Sequence, residues 1–247
     1  MLKKILASVG IGAAKVDTIL ETDDLQPGQL FNAQIVITSG NVSQEISGLD
    51  LYLMTRLKVS GEESDYYINH VIDQWRITDI GTISPGETKT IPFEARLHPE
   101  TPITEINAMQ NQSKVWLETG LSIDLALDPS DKDPLHVYPN EAIKVCMQAM
   151  EELGFRLVKA DVEKGYLQAS NFQSTTGAYQ ELEYKLASKS VFGIQEIELS
   201  FVAEAHKTHV LIEVDRAFRG DGYVDLTIEH DQVSLSRLCD QLERLFA

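Results

Sequence analysis

Residues 15–127 alternate apolar and polar side chains in short runs, and this period of two constrains the fold more than any other feature of the chain. One run puts five side chains on a single face of a strand: Leu49, Leu51, Leu53, Thr55 and Leu57. Turn signals such as Pro27-Gly28 and Pro85-Gly86 separate the runs. Closely spaced short strands with no helical period between them predict an antiparallel β-sandwich.

A polar segment at residues 128–139 follows this region. It begins DPSDKDP, in which two prolines bracket charged side chains, and such a stretch is typical of a linker or hinge. We therefore predict an N-terminal β-sandwich domain over residues 1–127, a linker over residues 128–139 and a C-terminal domain over residues 140–247.

The hydrophobic period changes after this linker. Asn140 suits a helix N-cap and Gly154 suits a helix C-terminal end. Strand-like runs follow, and the chain closes with apolar residues at helical spacing: Leu235, Leu238, Cys239, Leu242, Leu245 and Phe246. The C-terminal domain is therefore predicted to be β-rich, with a helix at each end.

Charge narrows the range of partners. The chain has 38 acidic and 21 basic residues, a net charge of −17, and this field repels nucleic acid and anionic membranes. No segment has the ~18 apolar residues that a transmembrane helix needs. Residues 2–9 have helical spacing and predict a short amphipathic helix that packs on protein, with peripheral membrane contact as the alternative. Two cysteines are too few for a disulfide scaffold, so we expect a cytoplasmic protein.

Searches for catalytic chemistry find no complete motif. The linker aspartates lack the spacing of a calcium-binding loop, and the glycines of residues 9–14 lack the spacing of a phosphate-binding loop. His206 and His209 are three apart, which places them on opposite faces of a strand and favours surface or turn roles over metal binding. We therefore predict no catalytic, cofactor-binding or metal-binding residues, with a hydrolase that uses carboxylates and a histidine as the competing hypothesis.

Four glutamates alternate with apolar residues in two predicted strands, at residues 181–186 and 194–202: Glu181, Glu183, Glu196 and Glu198. Such alternation is typical of a half-exposed strand whose acidic side chains simply face solvent, and this alternative explains the pattern without a partner. We nevertheless select these four as candidate partner-binding residues, because exposed strand edges accept extended segments and the acids would favour a basic or neutral protein partner. The same edges would serve a homo-oligomer.

Several segments resemble bacterial sporulation-control proteins of the stage-zero M type, a family similar to arrestins. The resemblance is specific over residues 1–160 and looser beyond them. It is carried by residues 6–18 (LASVGIGAAKVDT), 85–87 (PGE), 91–93 (IPF), 101–104 (TPIT), 115–121 (VWLETGL), 128–133 (DPSDKD), 151–157 (EELGFRL) and 211–216 (LIEVDR).

The resemblance implies two arrestin-like β-sandwich domains joined by a hinge, the second of them carrying two helices. It also implies a cytosolic adaptor or regulatory scaffold that acts through protein–protein contacts, without catalytic residues or cofactors.

Overall fold

The computed structural model describes residues 14–61, 64–123, 130–186, 194–216 and 222–246. Most of the described residues lie in β-strands, as predicted. In chain order the strands are β1 (Lys15–Leu20), β2 (Asp24–Leu25), β3 (Leu30–Thr38), β4 (Gln44–Val59), β5 (Tyr66–Ile77), β6 (Gly81–Ile83), β7 (Thr88–Arg96), β8 (Gln110–Asn111), β9 (Val115–Ile123), β10 (Ser130–Pro134), β11 (His136–Val137), β12 (Phe155–Lys164), β13 (Ala178–Leu186), β14 (Ile194–Ala203), β15 (Lys207–Arg216) and β16 (Gly222–Glu229). The helices are α1 (Glu141–Glu152) and α2 (Leu235–Phe246), with a short 3-10 turn at His230–Gln232.

The N-terminal lobe is a sandwich of two antiparallel layers. One layer has the strand order β1-β3-β7, and the other includes β5, β4, β9 and β10. The period of two read from the sequence is confirmed, since the five β4 side chains from Leu49 to Leu57 are all buried. An aromatic trio joins the layers: Phe31 meets Trp75 with ring centroids 6.0 Å apart, and Trp75 meets Phe93 at 5.7 Å. These edge-to-face contacts fix the distance between the layers.

In the C-terminal lobe, an antiparallel sheet of order β12-β13-β14-β15-β16 is covered by helices on one face. Helix α1 begins as predicted, because the Asn140 side chain accepts a hydrogen bond of 2.9 Å from the Ile143 backbone N–H. It ends at Glu152, and Gly154, just beyond the Leu153 cap, has a φ of 86° that suits a glycine. Helix α2 packs against α1, and Phe246 of α2 contacts Phe155 of β12.

The segment predicted as a linker is hydrogen-bonded to the N-terminal lobe over most of its described length. Strand β10 pairs with β9, and β11 pairs in parallel with β2. Pro134 of β10 opposes Trp116 of β9. Because β10 is the outermost strand of this layer, the missing N–H of the proline is tolerated. The division of the chain into domains at residues 128–139 stays a prediction.

One sheet continues from the N-terminal lobe into the C-terminal lobe. Strand β12 pairs in parallel with β4 at Glu163 and Lys58, and with β8 at Lys159 and Gln110. The buried amide of Gln180 on β13 strengthens the join: it donates to the Ile103 carbonyl at 2.7 Å and accepts from the Ile103 N–H at 3.0 Å. The two lobes therefore share both a sheet and a hydrogen-bonded clamp.

The amphipathic helix predicted at residues 2–9 lies outside the described residues. Neither α1 nor α2, the two α-helices among those described, is long and apolar enough to cross a membrane.

We expect Gln180→Ala to lower the free energy of unfolding by about 3 kcal/mol, because it leaves the buried N–H and carbonyl of Ile103 unpaired. Urea denaturation followed by circular dichroism measures this loss. Gln34→Ala is the matched control, since Gln34 is exposed on β3. A loss as small as that of the control would contradict the clamp.

Candidate functional site: a carboxylate-rich sheet face

The four glutamates selected from the sequence lie on one face of the C-terminal sheet. Glu181 and Glu183 project from β13, and Glu196 and Glu198 project from β14, each partly exposed. The sequence neighbours of Glu181, Glu183 and Glu198 are buried, whereas Glu196 follows the exposed Gln195 at an irregularity in β14. This is the face opposite the helices, and we call it the carboxylate face. The other carboxylates that it carries on β12 to β15 are Asp161, Glu163, Glu213 and Asp215.

Strand register brings like charges directly opposite one another. Glu183 faces Glu198, and Glu198 faces Glu213 on the next strand, so three carboxylates form a row across β13, β14 and β15. Glu196 faces Asp215 in the adjoining row. Opposed like charges destabilise a sheet, so this arrangement requires a compensating interaction or a use. The sequence reading missed Glu213 and Asp215, because the pairing of β14 with β15 is not visible in local alternation.

The predicted docking through the edges of residues 181–186 and 194–202 is wrong for these strands. Strand β13 lies between β12 and β14, and β14 lies between β13 and β15. The pairing of β13 with β14 covers residues 182–184, and each strand pairs over most of its length with its other neighbour, so neither is an outermost strand of the sheet. Their side-chain face remains accessible.

Three lysines neutralise the half of the carboxylate face nearer the N-terminal lobe. Lys185 bridges Glu183 at 2.8 Å and Glu196 at 3.0 Å, and Lys159 pairs with Asp161. Oxygens of Glu183, Glu196 and Glu198 lie within 4.8 Å of one another, a spacing that suits a metal ion. The Lys185 ammonium already pairs with two of these three carboxylates, Glu183 and Glu196, so the three glutamates do not form an open metal site.

The third lysine, Lys58, lies where β4 meets β12, and its ion pairs form a charged seam between the lobes. Its ammonium contacts Glu163 at 2.9 Å, Asp65 at 3.5 Å and Asp161 at 3.8 Å. Asp161 is only 2% exposed. Burial acts to lower the pKa of Lys58, but the hydrogen bond to Glu163 and the surrounding carboxylates raise it above its usual value. The seam therefore holds a permanent cation.

Among the carboxylates of this face, Glu181 and Glu198 have the most strongly raised pKa values. Partial burial and the charge of Glu163 raise the pKa of Glu181 to about 7. Partial burial and the charge of Glu181 raise the pKa of Glu198 to about 8. Within the described chain, the salt bridges of this face involve Asp161, Glu163, Glu183 and Glu196, and none involves Glu181 or Glu198.

Two depressions mark the carboxylate face. One, of about 350 Å³, lies under the loop of residues 165–177 and includes Tyr166, Tyr179 and Tyr223 in its walls. The other, of about 200 Å³, is lined by Glu196, Glu198, Glu213 and Asp215. Glu198 and Glu213 line both, so the depressions form one continuous groove.

The expectation of a surface or turn role is wrong for His209, which is fully buried on β15. Its ring stacks on Phe172 at 4.7 Å, Nδ1 bonds Thr227 at 3.0 Å and Nε2 bonds Glu204 at 3.0 Å. A local pattern does not reveal that the loop at residues 165–177 covers this end of the sheet. His206 is exposed in the β14–β15 turn, as expected. Both ring nitrogens of His209 are engaged, which weighs against the hydrolase hypothesis.

The linker aspartates lie apart from the carboxylate face. Asp131 accepts a 2.8 Å hydrogen bond from the Thr18 N–H. Burial and the neighbouring Asp131 and Asp17 raise the pKa of Asp133 to about 6. Asp128 lies outside the described residues.

Two lobes that share a sheet, a charged seam between them and two helices over the C-terminal sheet define a mainly β protein of two-lobed architecture. The sequence matches the SpoOM protein family over residues 2–218. It is 34% identical over 226 residues to the sporulation-control protein Spo0M of Bacillus subtilis (strain 168), covering 88% of this chain and 81% of that protein. The fold is similar to the crystal structure of Spo0M, sporulation control protein, from Bacillus subtilis, with a TM-score of 0.83, 31% identity and coverage of 96% and 98% of the two chains.

The chain therefore belongs to the SpoOM family of sporulation-control proteins, as the resemblance in the sequence indicates. This membership supports a regulatory role.

We expect Lys58→Met to lower the free energy of unfolding by about 2 kcal/mol, because it removes the ammonium that pairs with Glu163 and leaves Lys159 alone to pair with the buried Asp161. Lys144→Met, on the exposed surface of α1, is the control. Adding Asp161→Asn and Glu163→Gln to Lys58→Met should recover most of the loss, as measured by urea denaturation. No recovery would show that the loss comes from packing rather than charge.

Thermal stability should fall as pH rises through the pKa values of Glu181 and Glu198. The folded chain holds these protons while the unfolded chain releases them, so their contribution is full below the ordinary pKa of 4.5 and is lost as pH rises through about 7 and about 8. Glu198→Gln should therefore raise the Tm at alkaline pH and change it little at acidic pH.

Circular dichroism melts at several pH values measure this effect, with Glu94→Gln on the exposed face of β7 as the control. An equal change in Tm at every pH would contradict the assignment.

Proposed function

We propose that this chain is a non-enzymatic regulatory adaptor that binds a protein partner through the carboxylate face. The opposition of Glu198 and Glu213, which no salt bridge among the described residues relieves, carries the proposal, since a sheet gains nothing from opposed like charges. A partner that brings positive or neutral polar groups would relieve this repulsion, whereas an acidic partner would add to it. The membership of a sporulation-control family supports the regulatory part of the proposal.

We place this activity in the cytoplasm. Cys146 and Cys239 are both free, and thiols persist in a reducing compartment. Cys146 is buried among the helix side chains, and burial raises the pKa of its thiol to about 12, which favours an inert structural role.

The experiment begins with in-cell crosslinking of the chain in its native host and identification of the captured protein. Binding of that purified protein is then measured for the wild type and for Glu196→Lys/Glu198→Lys. We expect affinity to fall at least ~10-fold and its dependence on salt to weaken, because two contact charges are reversed.

Glu45→Lys/Glu94→Lys is the matched control, since it makes the same change in net charge at exposed positions of the N-terminal lobe. Full affinity in the control with loss in the face variant supports the proposal. Equal affinity in both variants would show that the partner binds elsewhere or responds to net charge alone.

A further inference from the structure

The larger depression on the carboxylate face combines aromatic rings with acids. Its walls include three tyrosines and three glutamates: Tyr166, Tyr179, Tyr223, Glu181, Glu198 and Glu213. Tyr166 is 63% exposed and Tyr223 is 64% exposed, so both rings present large surfaces to solvent. Aromatic ring faces attract cations, and carboxylates pair with them. Both kinds of wall therefore favour a positively charged group.

Two glycines let the tyrosines approach the backbone at the neck of the loop of residues 165–177. The Gly165 N–H donates to the Gly177 carbonyl at 3.1 Å and closes the loop. Gly177 has a φ of 74°, and a Cβ there would lie 3.3 Å from the Tyr166 hydroxyl. A Cβ at Gly165 would lie 3.1 Å from the Tyr179 ring. The positions of both rings therefore depend on the backbone at the neck, which side chains larger than hydrogen would crowd.

The same sheet face shows how a lysine side chain fits between carboxylates on adjacent strands. The Lys185 ammonium sits between Glu183 and Glu196, at 2.8 and 3.0 Å. The neighbouring set of Glu181, Glu198 and Glu213 makes no such salt bridge with any residue that the structure describes. A cation supplied from outside would complete the pattern.

We propose that the pocket of Tyr166, Tyr179 and Tyr223 receives the side chain of a lysine or arginine from a basic segment of the partner protein. The inference rests on the proposed function and assigns it a chemical anchor. Leu167 and Leu211 also line the pocket and suit the alkyl stem of such a side chain. The adjoining depression at Glu196 and Asp215 continues the groove, so a second basic residue of the same segment meets carboxylates there.

The probe is a fluorescein-labelled peptide with the sequence GRGGRG, and its binding to the full chain is measured by fluorescence anisotropy at low salt. We expect Tyr166→Ala to weaken binding about fivefold or more, and Tyr166→Phe to retain it, because the ring face rather than the hydroxyl attracts the cation. Tyr223→Ala should also weaken binding. The high exposure of both side chains makes these variants compatible with the fold, and Tm measurements check this.

Tyr66→Ala is the matched control, since Tyr66 is 53% exposed on β5 and does not line the pocket. Unchanged binding in both Tyr166→Ala and Tyr223→Ala would overturn the proposal, because charge alone would then hold the peptide. Displacement of the peptide by equimolar spermine or Mg²⁺ would also overturn it and assign the pocket to a free cation.

The captured partner separates this inference from the proposed function. If Glu196→Lys/Glu198→Lys abolishes partner binding while Tyr166→Ala and Tyr223→Ala preserve it, the carboxylate face binds the partner and the pocket does not. Loss of partner binding in the face variant and in both tyrosine variants supports the pocket. Full partner binding in all three variants would reject both proposals.

Discussion

The Lys58 ammonium neutralises the carboxylates at the point where the two lobes join in one sheet. It lies at the position where β4 pairs with β12, among Asp65, Asp161 and Glu163. Without this cation, Asp65 of one lobe and Glu163 of the other would each lose the ammonium that pairs with it, and Lys159 alone would be left to pair with the buried Asp161. Because β13 to β16 follow β12 in order, the orientation of the carboxylate face relative to the N-terminal lobe depends on this junction.

Neutralising charge declines with distance from that seam. Lys58 and Lys159 serve the carboxylates of β12, and Lys185 serves one pair on β13 and β14. On the far side of this lysine, the row from Glu198 to Glu213 continues into β15. Burial and the repulsion that remains, chiefly from Glu181, raise the pKa of Glu198 to about 8, so part of the charge is suppressed by protonation. A bound cation would replace that proton, which links the chemistry of the face to the charge of its partner.

Local periodicity in the sequence predicted the strands, the start of α1 at Asn140 and its end near Gly154. It also predicted that four glutamates lie on half-exposed strand faces: Glu181, Glu183, Glu196 and Glu198. These features depend on neighbours a few residues away. The opposition of Glu198 and Glu213, the interior position of β13 and the burial of His209 depend on which strands pair and in what register. Those pairings join residues far apart in the chain, and periodicity alone does not specify them. The strand at Ser130–Pro134 was missed for a related reason, because prolines at an outermost strand resemble prolines in a linker.

The residues that line the pocket on the carboxylate face all belong to the C-terminal lobe. The N-terminal lobe contributes hydrogen bonds to the loop that carries Tyr166. Glu100, in the segment after β7, accepts hydrogen bonds from the backbone N–H groups and hydroxyls of Thr175 and Thr176, at 2.9 to 3.1 Å. His70 of β5 bonds the Thr176 carbonyl at 2.7 Å. These contacts tie the loop carrying Tyr166 to the N-terminal lobe, while Tyr179 stands on the C-terminal sheet. The position of this loop over the C-terminal sheet therefore depends on the contact between the lobes to which Lys58 contributes, and this dependence couples the charged seam to the carboxylate face.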